Sequence, residues 1–271
     1  MIEITAEEFI SYSHSGTLGD IIASLPAIKQ GTASSGKKAI LYLKNGEPYE
    51  QPFRGTVHPT KNEHGDMVML NTNVIEMLIP LIAAQPYIHQ VKQYDDGPVQ
   101  IDLDAIRKTY CGIPVFSIQR WYFYVFPQLA CDLSIPWLEL SESEKDIATG
   151  KVIINRTERY QNEKINYSFL KEYEDDLLFF GTMREYNLFC MQFNLNIKKL
   201  VIKDFLELAQ AIKQSKFYLG NQSMGFQIAE GLKHPRLVEL FSQAPNVTPQ
   251  GANGYDFLAQ NALEYYFKKL L

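Results

Sequence analysis

The second half of this 271-residue chain alternates short apolar runs with stretches of helical periodicity, and this pattern restricts the fold more than any other feature. Residues 151–155 form a β-branched run of the kind buried in parallel sheets, and Asp204 precedes apolar residues at inward helical spacing. Because such elements connect through right-handed crossovers, we predict a doubly wound α/β domain. Its predicted strands are 151–155, 177–180, 199–202 and 216–219, and its predicted helices are 183–193, the segment after Asp204, and 226–232.

The first half is richer in turn residues and aromatic residues. A helix followed by a buried strand and an Asn45-Gly46 turn indicates a β-α-β start. A later helical segment contains Pro80, which should kink the helix or begin a new one. The bounds we predict are a helix over 20–29, a strand over 38–44, an irregular loop over 48–66, a helix over 73–82 and a strand over 99–103.

An aromatic run and a change to polar composition separate the two halves. The aromatic residues of 121–126 are interpreted as packing, in preference to a stacking platform for bases or sugars. The polar stretch that follows Trp137 is a reasonable linker. We therefore predict an N-terminal domain over 1–146 and a C-terminal domain over 147–271.

Composition favours a globular protein and excludes several other classes. The sequence has no long uncharged apolar run and no signal peptide, so the cytoplasm is the expected location. A net charge of -5 gives no general attraction to nucleic acid, although it does not exclude one. Cys111, Cys131 and Cys190 are too few and too widely spaced for a disulfide framework or a zinc site, and we interpret them as buried free thiols.

Two segments have the composition of ligand sites. Gly16, Gly19 and Asp20 stand just before an apolar helix, where backbone amides and a carboxylate converge, although Asp20 could equally be a simple helix cap. In the second half, residues 220–225 offer amides at a helix start, while Arg156 and Arg159 follow a strand. Taken singly these could be turn residues and solvated arginines; their joint placement favours an anion site.

The order of these motifs resembles that of the heptosyltransferase-like family 9 glycosyltransferases. The resemblance is carried by Gly19-Asp20-(x)5-Pro26-Ala27, by the segment 204–209 (Asp-Phe-Leu-Glu-Leu-Ala), by the strand around Asn155 and by the segment 220–225 (Gly-Asn-Gln-Ser-Met-Gly). It implies an α/β fold of the GT-B type, in which two Rossmann-like domains with parallel sheets face a central cleft. It also implies transfer of a sugar from a nucleotide-diphosphate sugar to an acceptor hydroxyl.

The resemblance also implies roles for individual residues. Asp20 becomes the candidate general base, and a carboxylate at Glu185 matches a ribose contact, although it could equally serve its own helix as a dipole partner. No metal and no cofactor other than the nucleotide sugar is expected, because the arginines and amides would hold the diphosphate. The implied donor-binding residues are Gly19, Arg156, Arg159, Glu185, Asn221, Gln222, Ser223, Met224 and Gly225, and the implied cleft or acceptor residues are His14, Ser15 and Thr17.

The sequence departs from the family pattern near the end of the last motif. Asn221, Gln222 and Gln227 stand where the family has an Asp and, a few residues on, a His, so the donor sugar stays open. The acceptor could be a glycan, a lipid or a modified base. A binding module that kept the cleft and lost the chemistry is the alternative hypothesis, and nothing in the sequence singles out a nucleotide-sugar epimerase.

Overall fold

The chain folds into two parallel β-sheets, each flanked by helices. The computed structural model describes residues 8–50, 58–109, 117–142 and 145–271. The first sheet has the order β3-β2-β1-β4 and the second has the order β10-β9-β8-β5-β6-β7, with parallel pairing throughout. The α/β class and the two Rossmann-like sheets are therefore confirmed.

The first sheet and its helices occupy the N-terminal part of the chain. Its strands are β1 (Phe9–His14), β2 (Lys38–Leu43), β3 (Ile88–Gln93) and β4 (Ile101–Asp102), and the helices are α1 (Leu18–Ser35), α2 (Thr72–Ala83), α3 (Ala105–Lys108) and α4 (Ile118–Val125). A short 3-10 helix, Pro127–Leu129, follows α4. Helix α2 continues through Pro80, which neither ends it nor begins a new helix.

The second sheet is built from the C-terminal part. Its strands are β5 (Val152–Asn155), β6 (Leu177–Phe179), β7 (Lys198–Lys199), β8 (Phe217–Asn221), β9 (Arg236–Glu239) and β10 (Gly254–Phe257), and its α-helices are α5 (Met183–Phe193), α6 (Phe205–Gln214), α7 (Met224–Leu232) and α8 (Gln260–Leu270). A 3-10 helix, Ser168–Asp176, precedes β6. Two predictions need correction: Gly220 and Asn221 belong to strand β8 rather than to a loop, and α7 begins at Met224 instead of 226.

Alternation along the strands of the second sheet buries both of its faces. Ile153 and Tyr218 point to the face covered by α6 and α7, whereas Val152 and Phe217 point to the face covered by α5 and α8. The first face belongs to a hydrophobic cluster that also contains the residues packed between α1 and the first sheet. One continuous core thus joins the two halves, and the helices α1 and α7 pack against each other at the junction.

The irregular chain between the sheets is also packed down. The amides of Trp137 and Leu138 both donate to the carbonyl of Gly231 in α7, and a Cβ at Gly231 would lie only 2.8 Å from the Trp137 and Leu138 side chains. The boundary between 146 and 147 lies in this connection and stays a prediction. Tyr122, in the aromatic run, is fully buried, although Tyr124 is exposed. Cys131 and Cys190 are free thiols but only half-buried, and Cys111 lies outside the described residues.

Candidate functional site

A cleft of about 510 Å³ lies where the carboxyl ends of the two sheets meet. Parallel strands deliver their following loops to one edge, so ligands of open α/β sheets bind there. The wall from the first half consists of the start of α1, a loop segment after 57 and the start of α2. The lining residues are Thr17, Leu18, Gly19, His58, Pro59, Thr60, Asn71, Asn73, Val74, Met77, Asn155, Thr157, Arg159, Phe180, Gly181, Thr182, Glu185, Lys199, Leu200, Val201, Ile202, Phe205, Ser223, Met224 and Gly225.

Helix α7 points its N-terminus into this cleft. Ser223 is its N-cap residue, but its side chain forms no cap hydrogen bond; instead its hydroxyl donates to Asn155 Oδ1 at 2.8 Å. The first-turn amides of α7 have no acceptor within the helix, and the helix dipole makes their surroundings attractive to an anion. A Cβ at Gly225 would approach the Tyr218 hydroxyl to 2.5 Å, so this first turn requires glycine. The start of α7 therefore offers unpaired backbone amides to the cleft, and an anion site there stays a prediction.

Arg159 lies in the same cleft and has no carboxylate partner within the described chain. Its Nε is buried without a hydrogen-bond partner there, and its guanidinium stands 5.9 Å from the Tyr49 ring centroid and 5.4 Å from that of Tyr160. Arg159 is half-buried, and a cation partly withdrawn from water without a counterion favours an anionic ligand. Arg159 and the start of α7 thus present positive charge to one end of the cleft.

Arg156, predicted to bind the donor, instead makes an internal ion pair. Its guanidinium donates to both carboxylate oxygens of Glu239, at 2.8 and 3.0 Å, and it packs on the Tyr167 ring at 5.1 Å. Arg156 is 3% exposed and Glu239 is fully buried. Because the guanidinium is already neutralised by a carboxylate, we correct the donor-binding assignment of Arg156 to a structural one.

Two amides of the last motif are likewise used internally. The Asn221 side chain forms hydrogen bonds with the loop 157–159, where its Oδ1 accepts from the Thr157 amide at 3.0 Å. The side chain of Gln222 donates to the carbonyl of Ala244 and to Asn246 Oδ1. Both residues are buried, so neither contacts the cleft; Asn221 positions the loop that carries Arg159. Their assignment as direct donor contacts is corrected accordingly.

Glu185 lines the cleft and also closes a capping box. Its Oε2 accepts from the Thr182 amide at 2.8 Å, while the Thr182 hydroxyl accepts from the Glu185 amide. Helix α5 is therefore capped by its own side chains, unlike α7. Glu185 thus has the role of helix partner that the sequence suggested, and it also lines the cleft.

Asp20 sits in the first turn of α1, beside the cleft residue Gly19. Its Oδ2 accepts from the Thr17 amide at 3.0 Å and pairs with Arg107, a residue that no motif of the sequence indicated. The Asp20 carboxylate in turn raises the pKa of Arg107. Both hydrogen bonds of this carboxylate within the described chain fall on Oδ2, which leaves Oδ1 to accept another.

His14 and Ser15 lie behind this turn rather than in the cleft. His14 is fully buried, with Nε2 2.7 Å from the Tyr122 hydroxyl, which itself donates to the Asp20 carbonyl at 3.0 Å. The Ser15 amide donates to Asp104 Oδ1. We therefore correct their assignment from cleft contacts to residues that fix the turn, whereas Thr17 does line the cleft.

His58 is the most conspicuous cleft residue that the sequence did not reveal. It is 4% exposed and lies parallel to the Tyr49 ring, with 4.1 Å between the ring centroids. Burial, together with the charge of Arg159, lowers the pKa of His58 to about 4. No periodicity marks this segment of the chain, so no sequence signal could have identified the residue.

Across the described residues, no cluster of three or more His, Cys, Asp or Glu side chains is arranged to hold a metal ion. In that same part of the chain, no helix combines the length and the apolar character needed to cross a bilayer.

The fold matches solved glycosyltransferases at low sequence identity. No protein-family model and no curated protein matches the sequence. The heptosyltransferase WaaC of E. coli, solved with ADP, superposes with a TM-score of 0.61 at 9% identity, covering 97% of this chain and 100% of that one. A family 9 glycosyl transferase from Veillonella parvula gives 0.59 at 11% identity, with 97% and 88% covered.

A third structure, the ADP-heptose lipopolysaccharide heptosyltransferase II of E. coli, gives a TM-score of 0.53 at 12% identity and covers 96% of this chain and 98% of that one. Identities this low show a shared fold. The likeness to heptosyltransferase-like family 9 glycosyltransferases that the motifs indicated is thus confirmed at the level of the fold.

Proposed function

We propose that this chain is a glycosyltransferase that moves a sugar from a nucleoside-diphosphate sugar to an acceptor hydroxyl. The observation that carries the proposal is the cleft, which has a cationic end at Arg159 and the start of α7 and an apolar end at 200–202. The fold shared with glycosyltransferases, one of which was solved with ADP, supports the same conclusion.

The order of the strands supports one arrangement of the donor along the cleft. The loops after β8, β5, β6 and β7 follow one another across three strand spacings of about 4.8 Å. We place the diphosphate at Ser223, the α7 amides and Arg159, with Gly19 facing them from α1. The ribose then lies near Thr182 and Glu185, and the nucleobase lies against Phe180 and the apolar end.

In the proposed reaction, Asp20 acts as the general base. The acceptor hydroxyl oxygen attacks the anomeric carbon as its proton passes to Asp20 Oδ1, and the bond from that carbon to the phosphate oxygen breaks. The bonding electron pair leaves with the nucleoside diphosphate, whose charge Arg159 and the α7 amides stabilise without a metal. Arg107 and the Thr17 amide orient the carboxylate through Oδ2. A cytoplasmic location stays a prediction.

The alternative, a non-catalytic binding module, is favoured by one observation. The Asp20 carboxylate forms an ion pair with Arg107. The neighbouring Gly19 lines the cleft, but Asp20 does not. A binding module would hold a nucleotide sugar and release no nucleoside diphosphate from it.

Replacing Asp20 tests the base assignment. The substitution Asp20→Asn keeps the size of the side chain and removes the proton acceptor, so we expect transfer or donor hydrolysis to fall about 10²–10⁴-fold. The assay measures nucleoside diphosphate released from a panel of nucleotide sugars, beginning with adenine nucleotides, and calorimetry measures nucleotide affinity, which should stay the same. Unchanged turnover in this variant would show that Asp20 is only a cap, and no turnover by the unaltered chain would favour the binding module.

A further inference from the structure

His58 presents unused hydrogen-bonding capacity to the cleft. Within the described part of the chain neither ring nitrogen has a hydrogen-bond partner, although His58 is only 4% exposed. The peptide groups of Val68 and Met69 are close to the ring without reaching hydrogen-bond geometry. Burying an unpaired polar group costs free energy, so a position that tolerates one is suited to a ligand.

The chemistry of the ring defines which ligand group fits. Burial and the neighbouring Arg159 charge hold the pKa of His58 near 4, so the imidazole is neutral at physiological pH. A neutral imidazole donates from one nitrogen and accepts at the other. A hydroxyl group can likewise donate one hydrogen bond and accept another. An ionised phosphate can only accept, so it would use the ring N-H and leave the other ring nitrogen unpaired. The ring therefore matches a polyhydroxylated group better than an anion.

Other polar side chains near the anionic end are already occupied. Asn221 and Gln222 bond neighbouring loops, and Gln227 Oε1 accepts from Gln119 Nε2 at 2.7 Å. Both polar ends of the Asn221 and Gln222 side chains and the oxygen of Gln227 are therefore not free to bind a ligand. The free polar atoms on this side of the cleft therefore include those of His58, which reaches it from the first half of the chain.

We propose that His58 binds hydroxyl groups of the sugar carried by the donor nucleotide, an inference that rests on the proposed function. Arg159 lies over the Tyr49 ring, and His58 stacks on that same ring. His58 is thus one aromatic ring away from the cation assigned to the diphosphate. In the donor, the sugar is bonded to the outer phosphate. The sugar is therefore the part of the ligand that extends from the diphosphate at Arg159 toward His58.

The test compares His58→Phe and His58→Gln with His64→Phe, a control at an exposed histidine of the same segment. Phenylalanine keeps the ring that stacks on Tyr49 and removes its hydrogen bonds, and glutamine keeps a donor and an acceptor. Calorimetry measures the affinities for ADP, GDP, UDP and CDP and for their hexose and heptose conjugates. The readout is the ratio of affinities between each conjugate and its parent diphosphate.

We expect His58→Phe to lower this ratio by on the order of tenfold, as the loss of one or two hydrogen bonds requires. Its affinity for the parent diphosphate should change less than about twofold, and its melting temperature without ligand should equal or exceed that of the unaltered chain, because an unpaired buried polar group is removed. His58→Gln should retain more of the ratio than His58→Phe, and His64→Phe should retain all of it.

An unchanged ratio in His58→Phe would overturn the inference and would place any hydroxyl contact of His58 outside the donor. A variant that no longer folds, or that loses both ligands equally, would also overturn it, because it would give His58 a structural role. If the unaltered chain binds no member of the panel, the proposed function itself fails, and the inference fails with it.

Discussion

Arg156 and Arg159 follow the same strand, three positions apart, and differ in what neutralises them. Arg156 turns inward to Glu239, whose carboxylate also accepts from the Tyr167 hydroxyl at 2.7 Å. Arg159 turns toward the cleft and has no carboxylate partner among the described residues. In the sequence alone, both arginines are simply basic residues that follow a strand. Their different roles depend on a carboxylate that arrives from β9, more than 80 residues later, which no local pattern reveals.

Removing the Arg156 guanidinium should destabilise the fold and not the ligand site. Arg156→Leu leaves Glu239 buried without its counterion, so we expect a loss of about 3–5 kcal/mol in the free energy of unfolding. Urea denaturation measures this loss. The control is Arg184→Leu, which breaks the pair between the exposed Arg184 guanidinium and Glu158 and should cost much less. Equal effects of the two substitutions would contradict the structural role of Arg156.

His58 should make the stability of the ligand-free chain depend on pH. Its pKa is about 4 in the folded chain, below its unfolded value of 6.5, so the unfolded chain binds more protons between these two values. The free energy of unfolding should therefore fall as the pH falls from about 6.5 to 4, by up to about 1.4 kcal/mol per pH unit from this group.

Denaturation of the unaltered chain and of His58→Phe at pH 7 and pH 5 measures that contribution. The stability advantage of His58→Phe should be larger at pH 5, because phenylalanine does not titrate. The same advantage at both pH values would show that the folded chain does not resist protonation of His58.

At the scale of elements, strong terminal signals made some helices predictable. Helix α5 begins after its N-cap Thr182, which forms a capping box with Glu185 in the first turn, and has the bounds 183–193 that the pattern indicated. The sequence does not predict strand β9, because its charged residues Arg236 and Glu239 do not look like buried strand residues. Each is buried in an ion pair with a residue outside the strand. Strand β7 was predicted over 199–202 and has only two residues, since the chain after Lys199 turns to form the cleft.

The N-cap of α6 offers a test of an element that borders the site. Asp204 accepts from the Glu207 amide at 2.8 Å, so Asp204→Ala should lower the free energy of unfolding by about 0.5–2 kcal/mol. Chemical denaturation checks this value, and nucleotide affinity should remain unchanged because Asp204 does not line the cleft. The neighbouring Lys203→Ala is the control for the long ion pair between the two side chains. A loss no larger than that of the control would contradict the capping role.

At the scale of the whole molecule, the two sheets share a hydrophobic cluster through α1 and α7. Strand and helix order, which is local information, predicted the second sheet and the β-α-β start of the first, whereas the cleft between two domains was implied by the resemblance to family 9 glycosyltransferases. The sequence could not predict which loops of the first half close the cleft. His58 and Tyr49 come from a segment without periodicity, and only the tertiary fold brings them to Arg159.

The central claim is that the cleft binds a nucleoside diphosphate at Arg159 and the start of α7. Calorimetry with ADP, GDP, UDP and CDP, applied to the unaltered chain and to Arg159→Gln, tests it most directly. We predict that at least one diphosphate binds the unaltered chain at one site and binds Arg159→Gln about 10–100-fold more weakly, as expected for a lost hydrogen bond to a charged group. Binding of none of the four, or equal binding to both chains, would contradict the claim.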